Sequence, residues 1–446
     1  MNATRQTSAQ SIVEGSALSA FHWKLLALCF LLLVLDGYDL AIAGAALPAI
    51  MKDMQVDPAT AGFMASSALF GMAIGAIGLG SLADRVGRRR VIALSVFLFS
   101  LFTAAAGFCS TPLSFSAMRF LAGVGLGSAI PNIISHVTEY APAKIRGLVV
   151  TSIGCGYPIG SMLAALLGKQ LIQSHGWQSV FLAAGLALVL VPVVLRALPE
   201  SLAYLSKSGQ SHEMREILMR MSPHEMKGIE LSQLTYAGVS GEKRTPITGL
   251  FSNGRGRSTV MLWIAFATNL FLLYALSTWL VQLMTRAGYS LGSALTFLVA
   301  FNAGGILGAL CGGWLGDRIS MKWTLVALYV LCAASLIILG TGGSHEAVLA
   351  LLVLLGASTL GSQIVLYAFV GSFYPPEMRS TGLGFAAGMG RIGGIVAPIV
   401  IGVLVAMELS LAHNFMAIAA VASVGALAVA AVAGKRPEFM TRQPMS

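Results

Sequence analysis

The apolar residues of this chain gather into long runs separated by short polar breaks. A helix that crosses the hydrocarbon layer of a bilayer needs about 20 mainly apolar residues. Twelve runs reach that length: 24–50, 60–82, 91–110, 113–137, 147–170, 177–197, 258–283, 292–316, 323–342, 346–371, 380–405 and 411–433. The pattern predicts an all-α membrane protein with twelve transmembrane helices. One break is far longer than the rest. The polar stretch 198–257 reads as a central loop of solvated helices that divides a six-helix half, 24–197, from a second, 258–433. Tails 1–23 and 434–446 flank the halves, and an even number of crossings puts both tails on one side. The first residues are polar and the first apolar run outlasts the core of a signal peptide, so that run is read as a retained span.

Composition narrows the function. The chain is 56% hydrophobic and 10% charged, against about 25% charged in soluble domains, and its mean hydropathy is +0.81. That argues against a soluble enzyme, a nucleic-acid binder or a disordered scaffold. The net charge of +10 has an address. With the tails placed in the cytoplasm, the basic residues crowd the cytoplasmic loops; Lys52, Lys169 and Arg286 fall on the opposite face, and Arg119 and Arg391 fall inside spans. This is the positive-inside pattern, and it predicts a multi-pass protein of a bacterial-type inner membrane with both termini cytoplasmic. Cys29, Cys109, Cys155, Cys311 and Cys332 form no CxxC pair and read as small hydrophobes in helices.

Two segments recur at one offset. Gly80-Ser-Leu-Ala-Asp84-Arg85 follows span two, and Gly313-Trp-Leu-Gly-Asp317-Arg318 follows span eight. Pro142-Ala-Lys-Ile-Arg146 follows span four, and Pro375-Pro-Glu-Met-Arg379 follows span ten. Both pairs lie 233 residues apart, which points to two parallel six-helix repeats with a site near the midplane between them.

The motifs carry a family resemblance over the whole chain. Gly80-Ser-Leu-Ala-Asp84-Arg85-Val-Gly87-Arg88-Arg89-Arg90 resembles the signature loop of the major facilitator superfamily, and Arg119-Phe-Leu-Ala-Gly123-Val-Gly125-Leu-Gly127 resembles a second superfamily motif associated with proton coupling. Leu35-Asp36-Gly37-Tyr38-Asp39 in span one is similar to the Asp-Gly-Phe/Tyr-Asp motif of the aromatic acid:proton symporters. So are Ala68-Leu-Phe-Gly-Met72, Tyr374-Pro-Pro-Glu-Met-Arg379-Ser-Thr-Gly382 and Gly390-Arg391-Ile-Gly393-Gly394 with Pro398, and Pro199-Glu200-Ser201-Leu202 resembles the benzoate-type members. Val281 stands where many members have proline. The resemblance implies the major facilitator fold, a signature loop that latches the halves during alternating access, and an aromatic carboxylate as substrate.

The buried charges are the candidate machinery. Asp36 lies near mid-bilayer and Asp39 one turn further on the same helical face. Carboxylates at that depth cost roughly 2.5–3.5 kcal/mol each on insertion scales, so the pair is expected to hold a proton and to titrate as a unit. An arginine stays charged and can grip a carboxylate with two hydrogen bonds. Arg119 is assigned to the aspartates and proton coupling, and Arg391 to the substrate anion. Tyr38, Tyr157, Trp279, Asn302 and Gln363 are candidate substrate contacts, the aromatics by stacking and the amides by hydrogen bonding. Gly80, Asp84, Arg85, Gly87, Arg88, Arg89, Glu139, Arg146, Asp317, Arg318 and Arg379 are assigned to conformational gating, with Glu139 pairing Arg85 or Arg146 and Asp84 able to cap a helix end. His136 reads as a satisfied structural histidine. Asn269 lies one repeat period after Asp36, so coupling charge is concentrated in the first half.

The expected activity is proton-coupled uptake of a small aromatic carboxylate such as benzoate or a hydroxybenzoate. Symport of a non-aromatic organic anion, muconate- or dicarboxylate-like, and export by the same chemistry remain alternatives. A membrane-embedded enzyme lacks support, because the sequence shows no metal cluster motif, nucleophile motif or nucleotide loop. No metal or organic cofactor is implied; the proton gradient supplies the energy. The expected partners are substrate, protons and lipid, with the single chain as the working unit.

Overall fold

The computed structural model describes residues 7–227, 234–235 and 247–433. Twelve helices among them are long and apolar enough to cross a membrane: Ala20–Asp53, Pro58–Val86, Arg88–Ala106, Pro112–Tyr140, Ala143–His175, Gln178–Ala197, Gly256–Arg286, Leu291–Gly316, Met321–Gly340, His345–Phe373, Glu377–Ala406 and Leu411–Ala431. They are spans one to twelve below. They extend beyond several of the expected apolar runs because polar caps and amphipathic turns continue the helices at the membrane edges. Span five is broken at Cys155, between helices Arg146–Gly154 and Gly156–His175. Span seven, without the proline, runs unbroken.

Local sequence explains the ends. Side chains of Asp57, Thr111, Ser290, Ser344 and Ser410 accept hydrogen bonds from backbone N–H groups at the starts of spans two, four, eight, ten and twelve. Pro58 and Pro112 occupy first helical positions, where a missing N–H costs nothing. Gly87, at φ 99°, makes the turn from span two into span three, a conformation that a Cβ would oppose.

The repeat is built into these bounds. Spans two, three, four and six start 233 residues before spans eight, nine, ten and twelve. Inside each half, small residues let backbones touch. A Cβ on Gly75 would stand 2.0 Å from the Val124 carbonyl oxygen between spans two and four; one on its repeat partner Gly308 would stand 2.1 Å from the Ala357 carbonyl oxygen between spans eight and ten. The apolar core follows this division, with one large cluster centred on spans seven to twelve and two others built mainly from the first half.

The halves meet on the side of the membrane away from the termini. A Cβ on Gly44 would lie 2.1 Å from the carbonyl oxygen of Ser277, its own repeat partner, so spans one and seven cross at the axis relating the halves. Spans two and eleven meet at Gly62 and Gly402, whose Cβ positions lie 2.5 Å from the Pro398 and 2.6 Å from the Pro58 carbonyl oxygen. Ser66 Oγ donates to the Ile395 carbonyl at 2.8 Å, and Lys169 Nζ donates to Thr296 Oγ1 at 3.4 Å between spans five and eight. Towards the termini the same helices part. Gly78, Gly154, Gly384 and Gly388 would meet nothing within 4 Å.

The stretch after span six is not simply solvated. Helices Leu202–Lys207 and Ser211–Met221 bury Leu205, Met214, Ile217, Leu218 and Met221 in the first half's core, as does the short N-terminal helix Ala9–Gly15 with Ile12 and Val13. Residues 228–233, 236–246 and the tail 434–446 lie outside the described residues.

Candidate functional site

Span one brings two carboxyl groups to mid-membrane, and Gly37 between them lets its backbone press on span five: a Cβ there would lie 2.0 Å from the Tyr157 carbonyl oxygen. Asp36, Asp39 and Arg119 are each 1% exposed. Arg119 Nη1 donates to Asp39 Oδ1 at 2.6 Å and to Thr103 Oγ1 at 2.9 Å, and Nη2 donates to the Asp39 carbonyl at 3.2 Å. The guanidinium also faces the Phe181 ring, 5.9 Å from its centroid. Asp39 is therefore neutralised by a buried partner inside the first half. Thr103 was not among the expected residues; one hydroxyl in an apolar run carries no distinguishing signal.

Asp36 differs. Among the described residues, neither of its carboxyl oxygens has a hydrogen-bond partner. Tyr157 of span five and Tyr274 of span seven lie within its electrostatic range. Across the seam, Arg391 Nη1 donates to the Met72 carbonyl of span two at 3.0 Å. Tyr274 and Tyr367 lie within electrostatic range of Arg391, and the half-buried Gln363 is one turn before Tyr367 in span ten. The midplane thus gathers Asp36 and Tyr157 from the first half with Tyr274, Tyr367 and Arg391 from the second. An acid, a cation and three phenols can hold a proton and a small anion with an aromatic body.

Three expected substrate contacts lie elsewhere. Tyr38 packs towards span six, where its hydroxyl donates to the Val180 carbonyl at 2.8 Å. Trp279 is fully buried and its indole N–H donates to the Pro398 carbonyl at 3.0 Å. Asn302 is buried with its amide donating to Leu298 O of its own helix at 2.8 Å. In each case a main-chain carbonyl satisfies the polar tip. Asn269 donates to Ser362 Oγ at 2.7 Å and is likewise a helix–helix tie.

The gating residues are arranged differently from expectation. Glu139 pairs with Arg88 at 2.7 Å, not with Arg85 or Arg146, and accepts from Ser201 Oγ and the Ala203 N–H. Asp84 and Arg85 are exposed and enter no ion pair among the described residues. The group that caps span three is Glu200: its Oε1 accepts from the Arg89 N–H at 3.1 Å and the Ser201 N–H at 2.9 Å. Its carboxylate crowds Gly87, where a Cβ would lie 2.5 Å from Oε2, and its main-chain carbonyl accepts from the Tyr140 hydroxyl. The Pro-Glu-Ser stretch was visible in the sequence, but its capping role needed the fold. Arg146 pairs with Glu14 at 3.5 Å, Arg318 lies over the Trp314 ring at 4.4 Å, and Arg379 and Gly80 face open space. The side chain of Asp317 lies outside the described residues. His136 is not satisfied among the described residues: it is buried with no hydrogen-bond partner on either ring nitrogen, 5.2 Å from the Tyr140 ring. All five cysteines are free.

Comparison with known proteins agrees with this architecture. The model of the Major Facilitator Superfamily matches residues 29–398 and 295–444. The chain is 39% identical to a benzoate transport protein of Acinetobacter baylyi over 97% of this chain and 94% of that one. It is 36% identical to a 4-hydroxybenzoate transporter of the same organism, over 88% and 87%. A gentisate transporter of Corynebacterium glutamicum is 35% identical over 89% and 84%. In fold, the chain is similar to the xylose transporter XylE of E. coli in a partially occluded inward open conformation. The TM-score is 0.73 at 16% identity, covering 92% of this chain and 97% of that one.

Proposed function

The chain belongs to the major facilitator superfamily, a family of membrane transporters, and on that premise we propose that it takes up a small aromatic carboxylate, such as benzoate or a hydroxybenzoate, together with a proton. The observation that carries the proposal is a buried Asp36 without a hydrogen-bond partner among the described residues in the first half and Arg391 in the second, both within electrostatic range of Tyr274. The relatives' aromatic acids support the choice of substrate.

Asp36 is the proton carrier in this reading, because a buried carboxyl without donors is tolerated as the neutral acid and not as the anion. Asp39 and Arg119 stay ionised against each other and hold span one to spans three and four. Arg391 takes the substrate carboxylate by exchange with the Met72 carbonyl, and Tyr157, Tyr274 and Tyr367 supply faces for the ring. The positive-inside distribution makes the side of the termini cytoplasmic, so the parted ends of the halves open inward. Proton and anion bind from outside, the halves rock about the seam, and both leave into the cell. The reading requires a bacterial-type inner membrane, a single chain and the proton gradient, without a cofactor.

Uptake of labelled benzoate into proteoliposomes, with and without an inward proton gradient, tests it. Accumulation that needs both the gradient and Asp36 is expected, and Asp36→Asn is expected to abolish it. Gradient-driven uptake that survives Asp36→Asn would remove Asp36 from the coupling site. Uptake that muconate inhibits and ring acids do not would replace the aromatic substrate, and stimulation by an outward gradient would reverse the direction.

A further inference from the structure

Proton and anion occupy different halves in this reading, on which the following inference rests. Asp36 belongs to span one and Arg391 to span eleven, and no hydrogen bond joins them. Symport nevertheless requires that each feel the other's occupancy, since coupling is a free energy shared between two sites.

We propose that Tyr274 is the positioning residue that couples the proton on Asp36 to the anion on Arg391. Its ring lies on Gly394, one turn beyond Arg391 on span eleven: a Cβ at Gly394 would stand 2.7 Å from Tyr274 Cδ2 and 2.9 Å from Cε2. The same ring packs against the large core of the second half and against the core of the first, so it bridges the seam. The ionisable groups within electrostatic range of it come from four other helices. They are Asp36 of span one, Tyr157 of span five, Tyr367 of span ten and Arg391 of span eleven. Among the described residues its hydroxyl has no hydrogen-bond partner, whereas the hydroxyls of Tyr38, Tyr140 and Tyr329 each donate to a main-chain carbonyl. Its repeat partner, Ala41, has no hydroxyl, so the device exists in the second half alone.

A phenol both donates and accepts. With Asp36 ionised, the Tyr274 hydroxyl turns to that carboxylate, and an anion at Arg391 loses a donor and meets a second negative charge. With Asp36 protonated, the hydroxyl is released to the substrate carboxylate. Proton binding then strengthens anion binding, and anion binding strengthens proton binding by the same factor.

Equilibrium binding of benzoate to the purified full-length carrier, measured across pH, tests this. In the wild type Kd is expected to rise with pH towards about tenfold per unit, the limit for one linked proton. Tyr274→Phe keeps the ring on Gly394 and should flatten the rise to about threefold per unit or less, and gradient-driven accumulation should fail. Gly394→Ala retains the hydroxyl but displaces the ring, and should flatten the profile in the same way. A Tyr274→Phe protein with the wild-type pH profile and wild-type accumulation overturns the inference alone. A wild type that binds no benzoate or hydroxybenzoate at any pH removes the functional reading beneath it.

Discussion

Asp39, Thr103 and Arg119 of the first half stand one repeat period before Leu272, Leu336 and Leu352 of the second. The first set is a buried ionic cluster; the second is three fully buried leucines in one apolar core. The helices that carry them start and end within three residues of matching positions. The contrast recurs at the side of the termini. Arg88 and Glu139 form an ion pair at 2.7 Å, and their repeat partners Met321 and Ser372 make a thioether contact at 3.9 Å. One backbone plan therefore accepts either filling, and the charges in the first half are not required by the fold. They sit where the proposed proton coupling and the ion pair of the loop after span two would use them.

The sharpest way to break this comparison is to leave one charge alone. Arg119→Leu should destabilise the carrier by about 3–5 kcal/mol, because Asp39 is left buried and uncompensated. The triple change Asp39→Leu, Thr103→Leu, Arg119→Leu reproduces the second half's filling and should restore stability to near the wild-type level while transport stays lost. Unfolding in mixed micelles, with uptake measured in parallel, reads both. Single and triple variants that are equally unstable would show that the halves are not interchangeable in this way.

A smaller effect is expected at the loop. Glu139→Gln should cost about 1–3 kcal/mol by leaving Arg88 short of its carboxylate, and Ser372→Ala, its mirror, within about 0.5 kcal/mol. Equal losses from the two would make the ion pair no stronger than its neutral counterpart. The least effect is expected at the caps of spans two and eight, Asp57 and Ser290. Asp57→Ser should change stability by about 0.5 kcal/mol or less, since both side chains cap well. The Thr60 hydroxyl, followed by the backbone N–H groups of Thr60 and Ala59, holds the Asp57 carboxyl below the usual carboxylate range. Its contribution is therefore present above the unfolded value and fades as pH falls through the folded one. Unfolding of the serine variant should lack that acid-side component.

The spans and the repeat were legible because each rests on length and spacing, which survive without coordinates. The partnership of Arg119 with Asp39 was legible because buried charges have few possible partners. Which face a residue presents was not. These helices are apolar all round, so no polar stripe marks the side that lines the passage. Tyr38 and Tyr157 looked alike in sequence, yet one points at span six and the other lies near Asp36. Trp279 and Asn302 were drawn away by carbonyls that only packing brings near. Glu139 found Arg88 instead of Arg85 because the turn at Gly87 sets which basic side chain faces back to span four.

The closure of the Asp39 cluster within spans one, three and four has a consequence for biosynthesis. A chain emerges from the ribosome N-terminal end first. By the time the fourth span is delivered to the bilayer, the aspartate, threonine and arginine have all arrived, and the most expensive charges of the protein can neutralise one another before any part of the second half exists. Asp36 has no such early companion. Tyr274 and Arg391 come with the seventh and eleventh spans, so the proposed proton site is completed last, by the half that brought no acid of its own to that depth.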